Sequence, residues 1–103
     1  MPSHPTRYTL DLTEDDKIFI RFRSEKGIIK SFTVQYATKI QQRWRTVRRY
    51  DTAHSLAHID IYSVRKKGKV RQIPILGEYG NILTDAIDEV RQDYQLMKEY
   101  FFL

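Results

Sequence analysis

Six apolar residues near the C-terminus constrain this chain most. Leu83, Ile87, Val90, Tyr94, Met97 and Phe101 recur at alternating steps of four and three. At 3.6 residues per turn, those steps place all six on one stripe of an α-helix. An isolated helix of this kind is marginal in water, so the stripe must be buried against another apolar layer. Asn81 or Thr84 is the expected cap. Asp85 and Asp88 suit the start of the helix, where the backbone dipole favours acids.

The layer comes from the preceding residues, which follow a different period. Tyr8, Leu10 and Leu12 alternate with Arg7, Thr9 and Asp11. Ile18, Ile20 and Phe22 alternate with Lys17, Phe19, Arg21 and Arg23. A period of two marks strands with one buried face. Thr13 to Asp16 reads as a polar turn, and Ser24-Glu25-Lys26-Gly27 as a second turn with glycine where positive φ is easiest. Further strands are expected over about Ile28–Ala37, Arg43–Tyr50, the Ile59/Ile61 segment and Val70–Ile73, where Pro74 ends the strand or marks an edge. In the fourth strand, Trp44, Thr46 and Tyr50 are expected to share one face, with Trp44 in the core. Arg43, Arg45, Val47 and Arg49 would share the other. Asp51 to Ala57 shows no period and reads as a loop. The expected fold is therefore α+β: an antiparallel meander of five or six strands with one long C-terminal helix on one face. One domain would span residues 1–103, with 1–6 frayed by Pro2 and Pro5.

Composition narrows the setting. Apolar residues at 41% and charged residues at 30% give an ordinary globular balance. The absence of cysteine excludes thiolate zinc sites and cysteine nucleophiles, and favours a cytoplasmic location. No signal-peptide core follows Met1, and no apolar run approaches the roughly 18 residues of a membrane span. No membrane contact is expected. The net charge of +5 favours polyanionic partners, RNA or DNA.

One helix covers one sheet face. The other is expected to carry Arg21, Arg23, Arg43, Arg45, Arg49, His58, Asp60 and Tyr62, with Phe19 as an out-of-place apolar residue. Arg48, Lys66 and Lys67 extend the cationic set, and Arg65, Lys69 and Arg71 lie nearby. Interleaved aromatics could stack on bases. Within this region, Arg49, Asp51, His54, His58 and Tyr62 form the candidate catalytic set. A metal-independent ribonuclease needs a base, an acid and cations around the phosphorus. His54 and His58 would supply the first two, Arg49 the clamp, and Tyr62 a further proton donor. Asp51 and His54 could instead staple a loop by hydrogen bonds. Asp51, His54 and His58 also have the i, i+3, i+7 spacing of ligands on a helix, but strand-like flanks argue against a metal. No metal or other cofactor is assigned. At the tail, Tyr100, Phe102 and Leu103 exceed what one stripe needs, which suits core closure or a homodimer or partner contact.

Arg49-Tyr50-Asp51-Thr52-Ala53-His54, with His58 and Tyr62 following, resembles a motif of small uncharacterised prokaryotic proteins classed as a domain of unknown function. Phe32-Thr33-Val34-Gln35 and the closing helix fit the same pattern, so the resemblance covers most of the chain after Lys17. Ser55 departs from the glycine that follows the first histidine in that group. A looser likeness, over the central third, is to small toxins of toxin–antitoxin pairs. The functional expectation is nucleic-acid engagement in a toxin–antitoxin-like or defence setting, with metal-independent ribonuclease activity as one form. The alternative is a non-catalytic interaction module, an antitoxin or dimeric adaptor with a cognate protein partner.

Overall fold

The computed structural model describes residues 5–53 and 56–103. The strands are β1 (Thr6–Thr13), β2 (Asp16–Glu25), β3 (Ile28–Ile40), β4 (Arg43–Ala53), β5 (Leu56–Ser63) and β6 (Gly68–Ile75), followed by α1 (Tyr79–Phe102). They form one antiparallel sheet in sequence order, a six-stranded meander with the helix packed chiefly on β3, β4 and β5. The expected fold class holds.

The turns follow from local chemistry. Glu25 pairs with Ile28, so Lys26 and Gly27 form a two-residue loop with φ of 52° and 77°. Positive φ at both positions matches the right-handed twist of the flanking strands. Gln41 and Gln42 do the same between Ile40 and Arg43, with φ of 51° and 67° but without glycine. That conformation crowds their Cβ atoms.

Between sheet and helix lies the core. Ile18, Ile20, Phe32, Val34, Tyr36 and Tyr50 meet Leu83, Ala86, Val90, Met97 and Phe101, all buried. Full burial of one such large apolar side chain contributes roughly 1.5–3 kcal/mol before conformational entropy is set against it. Tyr94 is half-buried, with its ring edge-on to Tyr36 at 6.0 Å. The helix begins earlier than its expected caps: Glu78 is the N-cap, and Thr84 Oγ1 donates back to the Gly80 carbonyl at 3.1 Å. Its first turn holds no acid. Tyr79 packs its ring against Phe32 at 5.9 Å, and Ile82 is buried, so packing extends the helix through Gly80 and Asn81.

Asp16 is not a turn residue but the buried start of β2. Its carboxylate accepts from Thr13 Oγ1 and Tyr36 Oη, each at 2.6 Å, and from Lys98 Nζ of the helix at 3.3 Å. Burial alone would raise its pKa. Hydrogen bonds from Thr13, Tyr36, Thr38 and Lys98 outweigh that and hold it below the ordinary aspartate value. Burial, and then Asp16 itself, push the Tyr36 hydroxyl far upward.

Two expectations for β4 fail. The register against β3 shifts between Arg48↔Tyr36 and Thr46↔Ala37, leaving Val47 as the extra residue of a β-bulge, buried in the core. The bulge reverses the alternation, so Trp44 and Thr46 lie on the opposite face from Tyr50, and Trp44 is not a core residue. Arg43 and Arg45 acquire the parity of the helix side, away from Arg49. The segment from Asp51 also is not a loop. β4 and β5 pair through Asp51↔His58, Thr52↔Ala57 and Ala53↔Leu56, leaving only positions 54 and 55 between the strands.

Candidate nucleic-acid interface

Register places two rows of side chains across the face that the helix leaves uncovered. One runs Arg7, Arg21, Thr33, Asp51, His58, Pro74; the next runs Thr9, Phe19, Gln35, Arg49, Asp60, Gln72. Lys17, Ala37 and Thr46 begin a third, with Lys39 and Trp44 paired beyond them. Thr46 Oγ1 accepts from Gln35 Nε2 at 2.6 Å, which ties the second row to the third.

Phe19 is 36% exposed in the middle of β2. Its ring meets Trp44 edge-to-face at 6.1 Å. Lys17 and Lys39 hold their ammonium groups 5.0 Å and 5.2 Å from the Trp44 ring centre, within cation–π reach. Beside Phe19, a shallow hollow of about 430 Å³ is lined by Arg7, Thr9, Arg21 and Gln35, among others. Aromatic surface flanked by cations is thus built into an open sheet.

The β4–β6 end holds a second hollow of about 590 Å³, lined by Arg49, Asp51, His58, Asp60, Lys69 and Gln72. Asp60 forms its floor, only 1% exposed. Its Oδ2 lies 3.4 Å from both Arg49 Nη2 and His58 Nε2. Oδ1 accepts from Gln72 Nε2 at 2.9 Å and lies 3.5 Å from Lys69 Nζ. Burial would raise the Asp60 pKa, but the Gln72 hydrogen bond and the nearby His58, Lys69 and Arg49 hold it below its ordinary value. Asp51 is also engaged: its Oδ1 accepts from Thr33 Oγ1 and from the Thr52 N–H, both at 2.9 Å. It therefore fixes the β3–β4 pairing.

The structure brings together Arg49, Asp51 and His58 of the expected catalytic set. Tyr62 lies elsewhere, in a hollow with Trp44, Arg45, Thr46 and Phe101. His54 lies outside the described residues. Asp51 and His58 sit on adjacent strands, so the helical ligand spacing does not apply to them. Among the described residues, no three His, Cys, Asp or Glu side chains gather into a metal-holding group.

The expected cationic face is split. Arg21, Arg23 and Arg49 have the parity of the open side. Arg48 turns to the helix, with Nη1 at 3.7 Å from Glu89 Oε1. Lys66 and Lys67 are exposed on the β5–β6 turn. Sequence reasoning missed Trp44, Lys17 and Lys39 as part of this face. Phe19, an apolar residue on a polar face, was the available signal.

Among the described residues, no helix is long and apolar enough to cross a membrane. No curated protein and no solved structure is detectably similar to the chain. The family described as a domain of unknown function, DUF7718, matches residues 2–102, and the chain belongs to it.

Proposed function

We propose that the open sheet face binds single-stranded nucleic acid, RNA or DNA. The observation that carries this reading is the Phe19–Trp44 pair, placed on the uncovered face with Lys17, Lys39 and Arg21 around it. Bases of a single strand stack on aromatic rings whatever their sequence, while cations track the phosphates. A sheet surface suits splayed bases better than a duplex groove, which admits a projecting helix or ribbon. Charge distribution supports the same side. The helix carries five acidic and two basic residues although the chain is +5, so the positive excess lies on the strands and turns.

The test is fluorescence anisotropy of a labelled single-stranded oligonucleotide over a salt series. Wild-type protein is expected to bind at micromolar or weaker Kd at moderate salt. Changing Lys17, Arg21 and Lys39 together to Ala should weaken binding and flatten the salt slope by about 2–3, one for each lost phosphate contact. Changing Arg43 and Arg45, which have the other parity, should do less. No binding at low salt would leave a protein-interaction module as the leading account.

A second reading adds cleavage, and the contact of His58 with Asp60 beside Arg49 favours it. A carboxylate can orient an imidazole for proton transfer, and a guanidinium can hold phosphate. In this reading RNA is cut without a divalent ion, leaving a 2′,3′-cyclic phosphate, and His58→Ala loses roughly 10²-fold or more in rate. Equal cleavage by wild type and variant, purified in parallel, would mark a contaminating nuclease. A toxin–antitoxin or defence setting belongs to the same proposal.

A further inference from the structure

We infer that β1 is a self-pairing edge, through which two copies of this chain join antiparallel about Thr9 into one continuous sheet. The two edges of the sheet differ. β6 contains Pro74, which has no N–H to offer, and the charged residues Lys69 and Arg71. Those are the usual means of keeping an edge from pairing. β1, Thr-Arg-Tyr-Thr-Leu-Asp-Leu-Thr, has neither proline nor lysine.

Charge complementarity names the occupant. When two β1 strands run antiparallel about Thr9, Arg7 of each copy falls opposite Asp11 of the other, and Tyr8 falls opposite Leu10. Register against β2 puts Arg7 and Asp11 on the open face, and Tyr8 and Leu10 on the helix side. The pairing therefore makes two opposite-charge pairs on one face and two apolar pairs on the other. Tyr8, 44% exposed in the single chain, gains a neighbour.

It also resolves a conflict inside the chain. Arg7 lies directly across from Arg21, a like-charge pairing that destabilises a sheet. Among the described residues, no carboxylate lies within ion-pair distance of either. Asp11 of a second copy supplies one. Asp11 itself has only an exposed contact with Lys17 at 3.8 Å and remains available.

The experiment is sedimentation equilibrium of the whole chain and of two charge reversals, Arg7→Asp and Asp11→Arg. Wild type should approach twice its monomer mass of 12.4 kDa as concentration rises. Each reversal turns both cross-copy pairs repulsive and should weaken self-association roughly ten-fold or more. Arg7→Asp also faces Arg21, so its fold should be at least as stable as wild type. Mixing the two variants restores opposite charges at both pairs, and the mixture should form a heterodimer although neither variant self-associates. The combined variant R7D/D11R should dimerise for the same reason, and covers the case in which Asp11→Arg alone folds poorly. Wild type that stays monomeric up to about 1 mM overturns the inference. So does a dimer indifferent to both reversals, or a failure of both the mixture and the combined variant to associate.

Discussion

Replacing Asp60 by Asn removes one negative charge and little volume from beneath the open face. The new side-chain amide can still accept from Gln72, but Arg49, His58 and Lys69 lose their common counter-charge. Removing one partner of a buried ion pair costs about 3–5 kcal/mol when the other is left enclosed. Here the side chains of Arg49 and Lys69 are 36% and 44% exposed, and can turn toward water. Screening of that kind lowers the cost to about 1–3 kcal/mol. For a domain of this size, about 2 kcal/mol corresponds to a melting-temperature drop of roughly 8–16 °C. Thermal melts of wild type and Asp60→Asn across a pH series read both the size and the sign. The folded-state pKa of Asp60 lies below its unfolded value, so the unfolded chain binds more protons in acid. Its stabilisation is complete above the unfolded aspartate pKa of about 3.9 and fades as pH falls through the lower folded value. The variant should therefore be less stable at neutral pH and lose less on acidification. A difference within about 0.5 kcal/mol at neutral pH, with matching acid slopes, would refute the assignment of Asp60 as the electrostatic anchor of β4, β5 and β6.

Other perturbations probe the rest of the molecule. Val90→Asp puts an unpaired charge at a fully buried helix position and should cost several kcal/mol, on the order of 4 or more, measured by urea unfolding. Gln42→Gly should stabilise by about 1 kcal/mol, because glycine adopts a φ of 67° without a crowded Cβ; an unchanged urea midpoint would contradict that account of the turn. Tyr36→Phe removes the 2.6 Å hydrogen bond to Asp16 and should cost about 1–2 kcal/mol. Because that bond helps hold the Asp16 pKa down, the variant should also show a shallower loss of stability in acid.

The parts legible in the sequence were those with a regular period. Val90, Met97 and Phe101 are buried as their spacing requires, and five consecutive hairpin links follow from alternating strands with polar turns. A single inserted residue was not legible. Arg43 to Tyr50 can be read as an unbroken alternation, and only pairing with β3 shows that Val47 is supernumerary. That one residue moved Trp44 out of the core and separated Arg43 and Arg45 from Arg49. Asp16 looked like a turn residue because its partners, Tyr36 and Lys98, are distant in sequence. Asp51 to Ala57 read as a loop because its small and polar residues hide the period that strand pairing imposes. In the candidate site, Arg21, Arg49 and His58 could be picked by residue type. The burial of Asp60 beneath them depended on Gln72 and Lys69 arriving from β6.

The most direct test of the open-face account is a backbone amide NMR titration with a short single-stranded oligonucleotide at low salt, followed with the Trp44 indole N–H. The account predicts that shift changes concentrate at Lys17, Phe19, Arg21, Gln35, Lys39 and Trp44, while Arg91, Gln92 and Asp93 on the exposed side of the helix stay still. Changes centred on the helix, or none at a large oligonucleotide excess, would contradict it.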